Sequence, residues 1–254
     1  MYGRGGYGGG GGSGMGFGPP VTPKVVKQLL IANAVVFVAA AMMPAIQVLG
    51  SVRPYLVWQQ GYLWQPFTYM WLHGSLGHIV MNMFVLWMFG SQVALAWGPK
   101  RFLRFYLLCG VGAGVFIATW PYILLGLGIP TYLDIPTVGA SGAVYGLVLA
   151  YSLTWPDRTI MLIFPPVAFK AIWIIPVMFF MTMMMGGGNV SHIGHLGGVA
   201  VGYFLMRRDG RTGNVLTTEQ LRNRWHRYKM KKRLRAVRSD DQRQRRDDDR
   251  PTFH

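Results

Sequence analysis

Ser141 is the residue whose neighbours point most directly to chemistry. It lies in Val138-Gly139-Ala140-Ser141-Gly142-Ala143-Val144-Tyr145-Gly146, with small residues on both sides. A hydroxyl flanked this way can be approached closely by another backbone, because glycine has no Cβ to block it. Gly142 and Gly146 also have the small-xxx-small spacing that lets a second membrane helix pack tightly. A serine becomes a nucleophile when a base takes its proton, and histidine is the side chain best suited to take that proton and return it to a leaving amine. His78, His192 and His195 are the candidates along the apolar part of the chain. His195 has Gly194, Gly198 and Gly202 running in a stripe beside it. Docking that stripe on the Gly142 and Gly146 face brings His195 to Ser141, while His192, nearer the loop, reads as a supporting residue. His78 and Asn82 are one helical turn apart on one face, so both can aim hydrogen-bond donors at a developing oxyanion.

The elements that must position these groups follow from composition. The 254 residues are 52% hydrophobic and only 13% charged, with a formal net charge of +16. Charged residues avoid long apolar runs that are long enough to cross a bilayer, which makes the chain a polytopic, all-α membrane protein. The first span is expected after Lys24 and Lys27 and runs to Leu49. The others are expected at about 75–95, 102–126, 139–155, 167–185 and 190–206, six in all. The connection at about 50–74 carries Trp58, Trp64 and Trp71, which suit a membrane interface. Lys and Arg cluster on alternate connections and in the tail, so the positive-inside rule puts both termini in the cytoplasm. The second, fourth and sixth spans then enter from the outer side. His78 and Asn82, Ser141, and His192 and His195 all fall within the first turns of those spans, so at about 1.5 Å of rise per residue they share one depth.

Polar groups in hydrocarbon are costly and by default mark a functional site or a watery cavity. Taken singly, each reads as an interhelical hydrogen bond holding a bundle together; taken together they fit a Ser and His catalyst better. Other intramembrane chemistries fit less well. A zinc protease needs a glutamate beside its histidines, but the only glutamate is Glu219 in the tail. Asp134 and Asp157 fall in loops on opposite sides, which leaves no facing aspartate pair, no acid to complete a triad and no proton relay for a transporter. No metal and no cofactor is expected. Cys109, the single cysteine, reads as a small packing residue. Residues 1–24 form a glycine-rich tail that cannot offset the entropy of folding and carries no signal peptide, and 207–254 form a basic tail. That tail has sixteen Lys and Arg against seven acids. Leu221, Trp225 and Tyr228 at helical spacing suit anionic lipid, but the tail reads first as a solvated, largely disordered topology anchor, and nucleic-acid binding is not expected.

With these residues in view, the chain resembles the rhomboid family of intramembrane serine proteases over about residues 25–206. The resemblance rests on Gly139-Ala140-Ser141-Gly142 with Tyr145, on His73 followed by His78-Ile79-Val80-Met81-Asn82, and on His195 followed by Gly198 and Gly202. Trp64-Gln65-Pro66-Phe67-Thr68 and Gly98-Pro99-Lys100-Arg101-Phe102 resemble the family's approaches to the second and third spans. It implies a six-transmembrane-helix bundle with a water-accessible dyad, Ser141 as nucleophile and His195 as base. It further implies Tyr145 packed on the His195 ring, and an oxyanion hole of the Ser141 backbone N–H with His78 and Asn82. Met185-Gly186-Gly187-Gly188-Asn189 would form a mobile cap. Its substrates would be single-span transmembrane proteins cut near the outer membrane face, in a bacterial cytoplasmic membrane by default. The alternative is an inactive rhomboid-like protein that binds transmembrane clients without cutting them. Two positions depart from the family pattern: Gly90 is followed by Ala94 where a glutamate is common, and Gln65 stands where an arginine is common. Both read as scaffold.

Overall fold

A computed structural model describes residues 18–19, 21–162, 166–185, 192–209 and 230. All of the expected cap at 185–189 but Met185, most of the glycine-rich tail and the basic tail with Leu221, Trp225 and Tyr228 lie outside the described residues.

Proline decides how the first apolar run is divided. Helix α1 spans Lys24–Met42 and a short α2 spans Pro44–Gly50. Pro44 has no N–H to donate and drives the residue before it out of the helical region, and Met43 sits at φ −128°, ψ 88°. The single span expected to Leu49 is therefore two helices. The last residues of the expected glycine tail are anchored to the second span: Trp87 Nε1 donates to Thr22 Oγ1 at 2.9 Å, and Gly18 lies against the Trp87 ring.

The long connection that follows is built from short pieces, α3 (Pro54–Gln59), α4 (Gln65–Thr68) and a 3-10 turn at Tyr69–Trp71. Gln65 is fully buried there, accepting from the Arg53 N–H at 3.1 Å and donating to the Leu49 carbonyl at 3.3 Å. A neutral amide thus ties the connection to the end of α2.

Ser75 caps the next helix, accepting from the His78 N–H at 3.2 Å. This helix, α5 (Leu76–Val85), passes through a π turn at Leu86–Gly90 into α6 (Ser91–Trp97), making one rod from 76 to 97. Ala94, at the position of the missing glutamate, is buried. Gly98 turns the chain at φ +80°, and Pro99 opens α7 (Pro99–Gly126) three residues before the expected start, where a proline loses nothing by lacking an N–H.

Helix α8 (Ser141–Thr154) is central. Gly142 through Val148 and Ala150 through Leu153 are buried, the pattern of a helix enclosed on all sides. It ends at Trp155, whose backbone is held out of the helical region by Pro156. A two-stranded antiparallel hairpin follows, β1 (Thr159–Met161) with β2 (Ala168–Lys170), pairing Ile160 with Phe169. The fifth apolar segment, expected from 167, is helical only after a 3-10 turn at Ala171–Trp173, as α9 (Ile174–Met185). Its first residues pair as a strand instead. The last helix, α10 (His192–Arg208), packs mainly on α8 and α7.

Among the described residues, three helices are long and apolar enough to cross a membrane: Lys24–Met42, Leu76–Trp97 and Pro99–Gly126. Ser141–Thr154 and Ala171–Met184 are apolar but shorter.

Candidate active site

The α8–α10 contact is made where side chains are missing. A Cβ on Gly198 would run into the Gly142 carbonyl oxygen, and one on Gly202 would stand 3.1 Å from the Gly146 Cα. One on Gly146 would meet the buried Cys109 Sγ at 2.6 Å, which gives that cysteine its packing role. Glycine lets two backbones approach closely enough for dispersion and weak backbone contacts to hold them. Gly197, one position along, faces the other neighbour: a Cβ there would meet Phe116 of α7 at 2.7 Å.

That close approach carries His195 to Ser141. His195 Nε2 lies 2.9 Å from Ser141 Oγ, within hydrogen-bond range. Ser141 is the first residue of α8, and the turn before it depends on Gly139 at φ +131°, where an L side chain is strained. Gly139 is also needed for space, because a Cβ would meet the His78 Cε1 and Nε2 atoms at 2.7 Å. The His78 ring therefore lies against the turn that presents Ser141. The Gly139 N–H is anchored by the Tyr69 carbonyl at 3.0 Å.

Tyr145 lies one helical turn beyond Ser141 and covers the His195 ring. Its ring stacks on His195 with centroids 4.1 Å apart and planes 11° from parallel. The Tyr145 hydroxyl is 3.2 Å from Thr182 Oγ1 of α9, and Phe179 of α9 stands edge-on to His195 at 6.2 Å. His195 is thus held from α8 and α9 together. His195 Nδ1 has no hydrogen-bond partner among the described residues, so the pair is a dyad as far as they extend.

Asn82 is buried, and its Nδ2 donates to the His78 carbonyl at 3.0 Å, leaving one amide N–H uncommitted among the described residues. His73, outside the long helices, packs edge-on to His78 at 5.1 Å. Burial and the neighbouring His78 push His73 down to about 4, so it is uncharged near neutrality. His192 stands 6.2 Å from His195, ring to ring, and edge-on. Ser141, His195, Tyr145, His78, Gly139 and the Gly198 and Gly202 stripe thus lie in one contiguous region, with Asn82 one turn behind His78. Among the described residues, no three His, Cys, Asp or Glu side chains are placed to hold a metal ion.

Sequence reasoning missed Thr182, Phe179 and Tyr69. The first two sit in an unbroken apolar stretch with no polar pattern to mark them. Tyr69 was one more aromatic in an aromatic-rich connection, yet its hydroxyl donates to the Gly110 carbonyl at 2.8 Å and its carbonyl holds the serine turn.

Comparison with known proteins identifies the family. The family model described as Rhomboid domain matches residues 60–211. RHOMBOID-like protein 12, mitochondrial, of Arabidopsis thaliana is 32% identical over 188 residues, covering 70% of this chain and 56% of that protein. Presenilin-associated rhomboid-like protein, mitochondrial, of Homo sapiens is 32% identical over 135 residues, 51% of this chain and 34% of its own length. Rhomboid protein 1, mitochondrial, of Saccharomyces cerevisiae is 28% identical over 161 residues, 59% of this chain and 44% of that protein. The chain thus spans between 34% and 56% of these relatives' lengths. A matched domain covering more than half of the chain, around a glycine-packed Ser141 and His195, makes this membrane protein a member of the rhomboid family.

Proposed function

We propose that the chain is an intramembrane serine endopeptidase, and the observation that carries the reading is the 2.9 Å approach of His195 Nε2 to Ser141 Oγ beneath the stacked Tyr145 ring. Acceptance at Nε2 requires the histidine tautomer that carries its proton on Nδ1. Ser141 Oγ then attacks a substrate carbonyl as its proton passes to His195. The tetrahedral oxyanion is met by the Ser141 backbone N–H, the His78 ring and the remaining Asn82 amide N–H. Collapse expels the amine, which takes the proton from His195, and water activated by the same ring releases the acyl group from Ser141.

In this reading the six apolar segments are six spans, the short α8 lying in the middle of the bundle. Arg101 at the start of α7 pairs with Asp209 just past α10, so these two ends share a side, the basic and hence inner one. Arg53 and Asp134, 3.3 Å apart, join connections on the other side, nearer the serine turn. Substrates are transmembrane helices that enter laterally and unwind near their outer ends. Three of the relatives are named as mitochondrial proteins, which runs against the bacterial cytoplasmic membrane expected from the sequence, and a matrix-facing basic tail satisfies the same charge rule.

The test is cleavage of a single-span reporter with small, helix-weakening residues near its outer end, by purified protein in liposomes. Cutting by the parent and by neither Ser141→Ala nor His195→Ala is the expected result. Binding of the reporter without cutting, by a folded parent, would instead favour a rhomboid-like client-binding protein. Equal cutting by the variants would remove Ser141 from the mechanism.

A further inference from the structure

At the end of the molecule remote from Ser141, the start of α7 and the end of α10 enclose a cleft of about 400 Å³. It is lined by Lys100, Arg101, Arg104, Phe105, Leu108, Leu205 and Asp209. Its charges are unevenly matched. Arg101 is committed twice, stacked over the Trp97 ring at 4.9 Å and ion-paired with Asp209, the only acid among the described residues that line the cleft. Lys100 and Arg104 are exposed and have no partner among the described residues. They lie one helical turn apart, so both cations point from one face of α7.

What lies below them on that face is apolar. Leu108 is one turn deeper and 44% exposed, and Val115 two turns deeper again and 41% exposed, while Leu205 of α10 forms the opposite wall. Two uncompensated cations above an outward-facing hydrocarbon stripe match a molecule with an anionic head and an apolar tail. A free anion would use only the upper half of this surface, and an acidic peptide would have no use for the exposed Leu108 and Val115.

We propose that this cleft is a binding site for an anionic phospholipid of the inner leaflet. Its phosphate is held between Lys100 and Arg104, the Arg101–Asp209 pair closes one side, and an acyl chain lies along Leu108 and Val115. The site ties the first turn of α7 to the last turn of α10, the helix that carries His195.

The test uses the purified full chain in a neutral detergent, with phosphatidylglycerol or phosphatidylcholine added and bound lipids counted by native mass spectrometry. The parent is expected to retain phosphatidylglycerol in preference. Each basic residue near an anionic lipid contributes about fivefold, so Lys100→Gln with Arg104→Gln is expected to weaken retention by roughly 30-fold. Lys24→Gln with Lys27→Gln, removing the same charge elsewhere, is expected to leave it unchanged. Inorganic phosphate is expected not to displace the lipid, and Leu108→Asn to weaken it several-fold. Since the replaced cations are exposed, the unfolding temperature in neutral detergent should match the parent's; if the double variant does not fold, Arg104→Gln alone is expected to weaken retention about fivefold. Unchanged retention in the Lys100 and Arg104 variants overturns the proposal. So does equal loss in the Lys24 and Lys27 variant, which means a diffuse surface charge. Displacement by inorganic phosphate overturns it as well, since the cleft is then an anion site.

Discussion

Gly198→Ala should separate two helices that the proposed chemistry needs in contact. A Cβ at this position would overlap the Gly142 carbonyl oxygen deeply and lie 2.7 Å from its carbon, and both are backbone atoms that cannot rotate away. Restoring ordinary contact requires α10 to move from α8 by on the order of 1–1.5 Å, because interiors are already packed to contact distance. His195 is one turn from Gly198 on the same helix, so the shift is transmitted to its ring. The Nε2 to Oγ distance, 2.9 Å in the parent, then exceeds hydrogen-bond range. Overpacking of this kind costs about 1–3 kcal/mol of stability. A displacement of about 1 Å at the reacting groups costs on the order of 100-fold in rate. The assay is kcat/KM on the reporter alongside thermal unfolding in detergent. Gly202→Ala provides a graded comparison: its nearest contacts would be 3.1 and 3.2 Å, which a few tenths of an ångström relieve. Its activity should stay within about tenfold of the parent. Gly77→Ala meets nothing within 4 Å and should leave activity unchanged. A folded Gly198→Ala protein with parental kcat/KM and unfolding temperature would refute the reasoning that glycine contact sets the dyad distance.

Other substitutions probe separate parts of the same account. Tyr145→Phe keeps the ring over His195 and loses only the Thr182 contact, so it should lower stability by about 0.5–1.5 kcal/mol with little change in kcat, whereas Tyr145→Ala should lower kcat sharply. His78→Ala should lower kcat on the order of 100-fold or more while leaving reporter binding intact, as expected for a donor used mainly in the transition state. Gln65→Ala strands the Arg53 N–H in a partly buried setting and should cost about 1 kcal/mol or more, read as a drop in unfolding temperature. Asp134→Asn removes an exposed ion pair and should change stability by less than about 1 kcal/mol.

Much of the helical layout could be read from the chain because apolar runs and their breakers are local signals. The starts of α5, α7 and α8 follow from Ser75, Pro99 and Gly139, and the end of α8 from Pro156. Two segments misled. The first apolar run hides a break because hydropathy does not register the backbone effect of Pro44. The residues from 167 read as the start of a helix because the stretch is mostly apolar, yet Ala168–Lys170 pair with Thr159–Met161 through a contact that no local pattern announces. The glutamine at 65 looked like a loss beside the family pattern, and is instead a fully buried connector.

By itself the sequence determined which residues could do chemistry and which helix faces could meet. Ser141 had small neighbours, His195 had a glycine stripe, and the two stripes matched in spacing, because helical periodicity turns sequence distance into direction. Only the tertiary structure decided what else surrounds His195 and the serine turn. Phe179 and Thr182 come from α9, and Tyr69 reaches the serine turn from a connection some seventy residues upstream in the chain. Such contacts join residues with no periodic relation to one another, so they arise from the packing of whole helices and leave no trace in the order of the chain.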